Sequence, residues 1–284
     1  MIPRQRSQLS IVLRQLCRNR GAIIGLCLLT LEVLIAIAAP LVAPYSPLEQ
    51  RLFFALRSPS PQHLFGTDDV GRDILSRVIY GARISLRVGL ISVSIAATIG
   101  TTLGILAGFY GGYLDSIIMG LANVLLAFPG ILLALAIIAV LGPGLSNVMI
   151  AVGIGNIPTY IRVARGSTLS LRNYDYVTGA RAVGCGNNRI MLRYILPNVL
   201  PPLIVLMTVG IAGAILTASG LSFLGLGAQP PTPEWGAMLH AGRTYLRQAW
   251  WVAVFPGLAI TTTVLSINML GDGLRDALDP KLRC

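Results

Sequence analysis

The chain has 284 residues, of which 54% are apolar and only 12% charged, and it carries a net charge of +11. A soluble domain needs a charged surface around one buried core, so this balance excludes an ordinary soluble fold and points to lipid as the solvent. The positive excess is almost all arginine and flanks apolar runs, with no basic stripe of interleaved aromatics, which argues against a nucleic-acid partner.

A helix crosses the hydrocarbon core with about 20 mostly apolar residues, rising about 1.5 Å per residue over roughly 30 Å. Residues 1–20 precede the first such run. They carry Arg4, Arg6, Arg14, Arg18 and Arg20 and no acid. The first span is expected over 21–43, ending before Pro44. No small-residue cleavage site follows it, so it reads as a retained helix and not a cleaved leader. Glu32 is the only acid deep in any expected span, and it is expected to face other helices and accept a hydrogen bond.

Residues 44–82 form a proline-rich loop in which Arg51, Arg57, Arg72 and Arg77 face Glu49, Asp68, Asp69 and Asp73. Asp68, Asp69, Arg72 and Asp73 are expected to build a capped, salt-bridged turn. Span two covers about 84–109, and Gly111-Gly112-Tyr113 turns it into span three at 114–141, where Phe128-Pro129 predicts a kink. Gly142-Pro143-Gly144 is the next turn, followed by span four at 146–165. A basic loop, 166–196, leads to span five at 197–219. A loop with Pro230-Pro231-Thr232-Pro233 precedes span six at 251–271, and Asp272, Arg275 and Asp276 suggest a local charge network beyond it.

Six spans put both termini on one side. Arginine is in excess in residues 1–20 and 166–196, so the positive-inside rule places both tails, the turn near 111 and the 166–196 loop in the cytoplasm. The 44–82 and 221–250 loops then face outward. Gly100, Gly104 and Gly108 line one face of span two and are expected to pack closely within the subunit.

Several chemistries are missing. Cys17, Cys27, Cys185 and Cys284 form no CxxC pair, and His63 and His240 stand alone, so metal-ligand spacing is absent. The single lysine, Lys281, follows no glycine-rich phosphate loop, so this chain is not the ATPase by that route. No acid–His–Ser spacing supports a triad, which disfavours an intramembrane enzyme. Ion-coupled carriers keep ionisable groups within the membrane, and Glu32 alone is a poor basis for one. A purely structural scaffold would leave the basic loop idle.

That loop reads as helix, turn, helix: small residues at 179–182, breakers at Gly184 and Gly186, and apolar periodicity resuming at Ile190, Ile195 and Leu196 before Pro197, which is expected to mark the next boundary. Such a knuckle can enter a groove on a cytosolic partner. It resembles the EAA loop of ABC importer permeases at Tyr176, Val177, Ala180, Arg181, Ala182, Gly184, Arg193, Leu196, Pro197 and Asn198. The resemblance extends to Leu64-Phe65-Gly66-Thr67-Asp68-Asp69-Val70-Gly71-Arg72-Asp73, Leu125-Leu126-Ala127-Phe128-Pro129, Leu221-Ser222-Phe223-Leu224-Gly225-Leu226-Gly227, Trp235-Gly236 and Gly271-Asp272-Gly273-Leu274-Arg275-Asp276-Ala277-Leu278-Asp279-Pro280. Together these identify the chain as similar to the C-type permeases of the dipeptide/oligopeptide/nickel ABC importer group. It departs from their pattern at Thr178, where the family has Glu, at Tyr194, where His is frequent, and at Ala218, where Glu is frequent.

The resemblance implies an all-α integral membrane protein with six transmembrane helices, a type I ABC importer permease fold and a cytoplasmic coupling helix. It implies a cytoplasmic segment at 1–20, a first helix at 21–43, an external loop at 44–82, a permease domain at 83–272 and a cytoplasmic tail at 273–284. It places ATPase coupling on Tyr176, Gly179, Ala180, Arg181, Ala182, Gly184, Arg189, Arg193 and Pro197. The implied partners are a B-type permease, two ATP-binding subunits that hold ATP and Mg, an extracytoplasmic solute-binding protein and the lipid of a bacterial inner membrane. The chain itself would hold no cofactor or metal and catalyse nothing. The expected cargo is di- or oligopeptides, with glutathione or nickel as alternatives, and a bulky residue at Gly184 is expected to uncouple ATP hydrolysis from transport.

Overall fold

The computed structural model describes residues 15–16 and 19–278, all strands being absent among them. Arg4, Arg6, Arg14, Arg18, Cys17, Asp279, Pro280, Lys281 and Cys284 lie outside the described residues.

Helix α1 (Arg20–Ile37) is capped by Asn19, whose Oδ1 accepts from the Ala22 N–H at 3.2 Å. A short α2 (Ala39–Val42), with Pro40 in its first turn, ends the first crossing. Helix α3 (Ile74–Tyr110) has 37 residues, about 55 Å at 1.5 Å per residue. It starts ten residues before the expected span because Asp73 caps it: Oδ2 accepts from the Ser76 N–H and hydroxyl, both at 2.8 Å. Gly111, at φ +67°, turns the chain into α4 (Gly112–Ala127), which a 95° bend at Phe128-Pro129 separates from α5 (Gly130–Leu141). The expected kink is thus a full break, since Pro129 supplies no N–H to continue the ladder.

Helix α6 (Leu145–Leu171) extends past the expected 165. After α7 (Asp175–Ala182) and α8 (Asn187–Ile190), a π turn at Met191–Ile195 leads without a break into α9 (Leu196–Phe223). Pro197 is therefore not a boundary. The wider π turn absorbs its missing N–H at the head of α9, so the helix is continuous from Asn187 to Phe223. Helix α10 (Trp235–Gly242) lies in the loop that follows α9, and α11 (Trp251–Leu278) closes the described chain.

α1, α3, Asn187–Phe223 and α11 are each long and apolar enough to cross a membrane, and the α4–α5 pair, bent by 95°, passes the same test of length and composition only when taken together. α6, with 27 residues, is long enough but carries Asn147, Asn156, Arg162 and Arg165. As an interior sixth crossing it is consistent with the expected count. It packs along α3, where Gly100, Gly104 and Gly108 meet Tyr160, Ile161 and Thr168 directly. The small-residue stripe thus serves packing within the subunit.

The bundle has two distinct ends. Arg83 Nη2 donates to the Ile37 carbonyl at 3.1 Å, so α1 runs antiparallel to α3. Asn19 Nδ2 donates to Asp276 Oδ2 at 3.2 Å, placing the two described ends of the chain together. Asp272, Arg275 and Asp276 form no mutual ion pair. They point outward from α11, where water leaves little for such a pair to gain.

At the opposite end the two longer loops interlock. Arg77 Nη1 donates to the carbonyls of Pro47 at 3.0 Å and Pro231 at 3.3 Å, and Trp251 Nε1 to that of Thr67 at 3.2 Å. The salt-bridged turn forms as expected, and it is buried: Arg72 Nε meets Asp68 Oδ2 at 2.6 Å. His63, read as an isolated histidine, is also buried, with Nδ1 donating to Asp73 Oδ1 at 2.9 Å. Glu32 is half-buried beside Thr262 and Thr263, but both hydroxyls donate to carbonyls of their own helix and Glu32 Oε2 has no partner.

Glu234 was not singled out by the sequence, yet it is 2% exposed and caps α10, accepting from the Gly236 and Ala237 N–H groups at 2.9 and 2.8 Å. Burial pushes its carboxyl above the ordinary range, and the two backbone N–H groups oppose that shift. A carboxyl whose folded value is raised holds its proton more tightly folded than unfolded. Its contribution to stability is therefore greatest below the unfolded value and falls as pH rises. Glu234→Gln removes that dependence, so the melting temperature of the variant should gain on the wild type between pH 4 and pH 7. A gap that stays constant across that range would refute this account of the cap.

Candidate functional site

The basic loop folds into a knuckle at the end of the bundle that also holds the Gly111 turn. Helix α6 ends at Leu171, and Arg172 Nη1 donates to the Gly108 carbonyl of α3 at 3.0 Å. About two turns earlier, Arg165 Nη2 meets Asp115 Oδ2 at 2.6 Å, and about a turn before that Arg162 Nη2 meets Asn123 Oδ1 at 3.0 Å. These contacts fix α6 against α3 and α4 just before the chain leaves the bundle. The sequence places Arg162, Arg165 and Arg172 as topology signals only. Their partners lie about 40 to 65 residues away and no local pattern reveals them.

Helix α7 then crosses the end of the bundle, with Asp175 in its first turn and Arg181 in its last, both favourable to the helix dipole. It ends in a Schellman motif. Gly184, at φ +82°, donates to the Arg181 carbonyl at 2.9 Å, and Cys185 donates to that of Ala180 at 3.0 Å. An L side chain disfavours this backbone conformation, so the turn itself requires glycine. Gly186 caps α8, and the π turn reconnects the knuckle to α9.

The knuckle is anchored on one face. Val177, Ile190 and Ile195 are fully buried, and Ala180 and Met191 nearly so, all within the main hydrophobic cluster. The other face is open. Tyr176, Thr178, Gly179, Arg181, Ala182, Val183, Gly184, Gly186 and Arg189 are exposed, Val183 at 79%. A Cβ added at Gly179, Gly184 or Gly186 would meet nothing within 4 Å, so packing inside this chain does not demand small residues there.

The expected site residues therefore divide. Gly179, Arg181, Ala182, Gly184 and Arg189 share the exposed face, while Ala180 is part of the anchor. Tyr176 is 41% exposed and its ring lies between those of Tyr174 and Tyr194, with centroids 5.8 and 6.5 Å away. Arg193 and Pro197 are exposed but sit on the π turn and the head of α9, away from the tip. The Arg181 guanidinium stacks over the Phe109 ring at 5.1 Å, tying the tip to α3. Thr178, in place of the family's Glu, donates locally to the Asp175 carbonyl at 3.0 Å. Beneath the knuckle, between α3 and the π turn, is a cavity of about 250 Å³ lined by Thr101, Ile105, Leu106, Met191, Leu192 and Leu196.

No group of three or more His, Cys, Asp or Glu among the described residues is arranged to hold a metal ion. Chemically, the site is a cationic protrusion of small residues on a rigid apolar base. Such a shape can bind a partner and transmit movement.

Residues 100–283 match the family described as binding-protein-dependent transport system inner membrane component, and residues 7–59 match the N-terminal TM domain of oligopeptide transport permease C. The chain is 50% identical to the di/tripeptide transport system permease protein DppC of Pseudomonas aeruginosa, over 93% of this chain and 89% of that protein. It is 51% identical to the dipeptide permease DppC of Escherichia coli K12, over 94% of this chain and 91% of that one. The glutathione transport system permease protein GsiD of Escherichia coli O6:K15:H31 is 50% identical, over 95% and 89%. Among solved structures, a chain of the MetNI methionine ABC transporter in an inward facing conformation superposes with a TM-score of 0.58 at 18% identity. That match covers 72% of this chain and 98% of the other, and it shows a shared fold.

Proposed function

This chain belongs to the binding-protein-dependent transport system inner membrane component family, as a C-type permease subunit of an ABC importer of the dipeptide, oligopeptide and nickel group, and from that premise we propose that its cargo is di- or oligopeptides and that it couples to cytosolic ATPases through the α7–α8 knuckle. The observation that carries the cargo reading is the identity of 50% or more, over nine-tenths of the chain, to permeases named for di- and tripeptides. Glutathione is the second reading, favoured by the equally similar GsiD, and it is itself a peptide.

The working complex in this proposal holds a second, B-type permease, two ATP-binding subunits that carry ATP and Mg, and an extracytoplasmic binding protein. This chain carries no nucleotide of its own. The arginine-rich end with the knuckle and both tails faces the cytoplasm, as the positive-inside rule favours. The interlocked 44–73 and 224–250 loops face outward, where a loaded binding protein docks. The exposed glycines of the knuckle allow close approach of a partner surface, and Arg181 and Arg189 suit an acidic groove, with Arg193 at its edge. ATP-driven closure of the ATPases moves the knuckle, and its apolar anchor carries that motion into α3 and α9.

Purification of the tagged chain from its native membrane in mild detergent should bring down a second permease and two P-loop ATPases. The reconstituted complex with its binding protein should then accumulate labelled dipeptide. Recovery of the chain alone, even after cross-linking, would overturn the reading. Uptake of glutathione but of no dipeptide would replace the first cargo by the second.

A further inference from the structure

The break between α4 and α5 exposes Phe128, Pro129 and Gly130 between two apolar helices that together are long enough to cross a membrane. It leaves the last carbonyls of α4 and the first N–H groups of α5 without helical partners. Such backbone is tolerated in a membrane only where protein covers it or it lines a water-filled cavity. A cavity of about 330 Å³ opens beside the break, walled by α5, α6 and α9, with Gly130, Ile131, Asn156, Leu216, Thr217 and Gly220 among its lining. That volume lies at the small end of ordinary ligand sites.

Two side chains give this wall its polarity. Asn156 lies eleven residues into α6, about 17 Å along its axis at 1.5 Å per residue. Its Nδ2 donates to the Val152 carbonyl at 2.9 Å, which leaves one N–H and the amide oxygen without a partner among the described residues. The Thr217 hydroxyl is free as well: Thr102, Thr208, Thr261 and Thr263 each donate to the carbonyl four residues back in their own helix, whereas Thr217, like Thr98 and Thr101, makes no such bond. Both residues are half-buried, and no charged side chain lines the cavity. Free amide and hydroxyl groups facing lipid would each cost a few kcal/mol, so the mouth of this cavity faces water or a partner subunit and not lipid.

We propose that this cavity is a solute-contact site on the translocation path, where Asn156 and Thr217 exchange hydrogen bonds with the backbone amides of a passing peptide. The site reads the amide common to all peptides and, having no charged group, is indifferent to side-chain charge. The class of ligand rests on the peptide reading above, and the position of the path does not.

Two experiments on the complete importer test the proposal. With the native cysteines replaced by serine, Thr217→Cys in nanodiscs should react with a charged methanethiosulfonate reagent in at least one of the nucleotide-free and ATP-trapped states. Tyr113→Cys, at an exposed position in the first turn of α4, serves as the reactive control. A control that reacts while Thr217→Cys stays untouched in both states would overturn the site. In proteoliposomes, Asn156→Leu and Thr217→Val should each lower dipeptide imported per ATP hydrolysed about tenfold, as loss of a hydrogen bond to the passing solute implies. ATPase activity stimulated by the binding protein should stay within about twofold, because neither residue touches the knuckle. Unchanged import per ATP in both variants would overturn the contact. A wild-type complex that imports no peptide would strike the peptide reading and the amide class with it, while the thiol result still decides whether the cavity lies on the path.

Discussion

Gly179→Leu should leave this subunit folded and the importer without transport. Gly179 lies on the exposed face of α7 with ordinary helical backbone, and a Cβ there meets nothing within 4 Å. Replacing glycine inside a helix gains about 0.5–1 kcal/mol of propensity, so the chain itself has no reason to object. The damage must fall on whatever surface docks there. Forcing a bulky side chain into a close-packed contact costs about 1–3 kcal/mol, up to a hundredfold in binding of the ATPases. The expected result is wild-type yield and melting temperature for the isolated subunit, with weak ATPase co-purification and uptake near background. Uptake at the wild-type rate would remove the knuckle as the coupling element.

Gly184 is a poorer probe, although the motif points to it first. Its φ of +82° means that any L residue strains the Schellman turn, by about 1–2 kcal/mol for a bulky one. Uncoupling by Gly184→Leu would therefore mix a lost contact with a distorted knuckle. Gly184→Asn, which tolerates the left-handed region, should keep more transport than Gly184→Leu. That ordering measures how much of the effect is backbone.

The bundle was legible in the sequence because lipid imposes a simple rule: runs of about 20 apolar residues become crossings. The Gly100, Gly104 and Gly108 face, the turn at Gly111 and the break at Pro129 were legible for equally local reasons. What escaped depends on distant partners. The start of α3 at Ile74 follows from the Asp73 cap, which itself is held by His63. Pro197 reads as a boundary until the π turn at Met191–Ile195 is seen to make room for it. Glu234 has no local mark that distinguishes a buried cap from a solvated loop acid. Asn156 and Thr217 look like ordinary helix polars until the missing hydrogen bond of one and the half-used amide of the other are compared with their neighbours. For the knuckle, the motif gave the positions, but the division into anchor and open face needed the packing of Val177, Ala180 and Ile190.

Gly104→Leu should have the opposite signature from Gly179→Leu: loss of the subunit itself. A Cβ at Gly104 would lie 2.6 Å from the Ile161 carbonyl oxygen, 2.7 Å from Ala164 Cβ and 3.1 Å from the Arg165 backbone nitrogen. Two of these neighbours are backbone of α6, so no rotamer change relieves the clash and the helices must separate. In lipid, separation is not resisted by a hydrophobic gain, because the surrounding chains are as apolar as the helix faces. Association depends on close packing and polar contacts. Those contacts are near: the bond from Arg172 to Gly108 lies about one turn further along the α3–α6 seam, Arg165 beside the clash pairs with Asp115 of α4, and both would be pulled out of register. Overpacking alone costs about 1–3 kcal/mol, and losing these bonds adds to it. The expected result is a collapse in the amount of monodisperse, protease-resistant subunit in mild detergent, with Gly104→Ala intermediate. Gly120→Leu, where a Cβ meets nothing within 4 Å, should behave like the wild type in the same assay. If Gly104→Leu accumulates normally and fails only in transport, the stripe is not the packing seam of the subunit, and its glycines must instead serve a movement of α3 against α6.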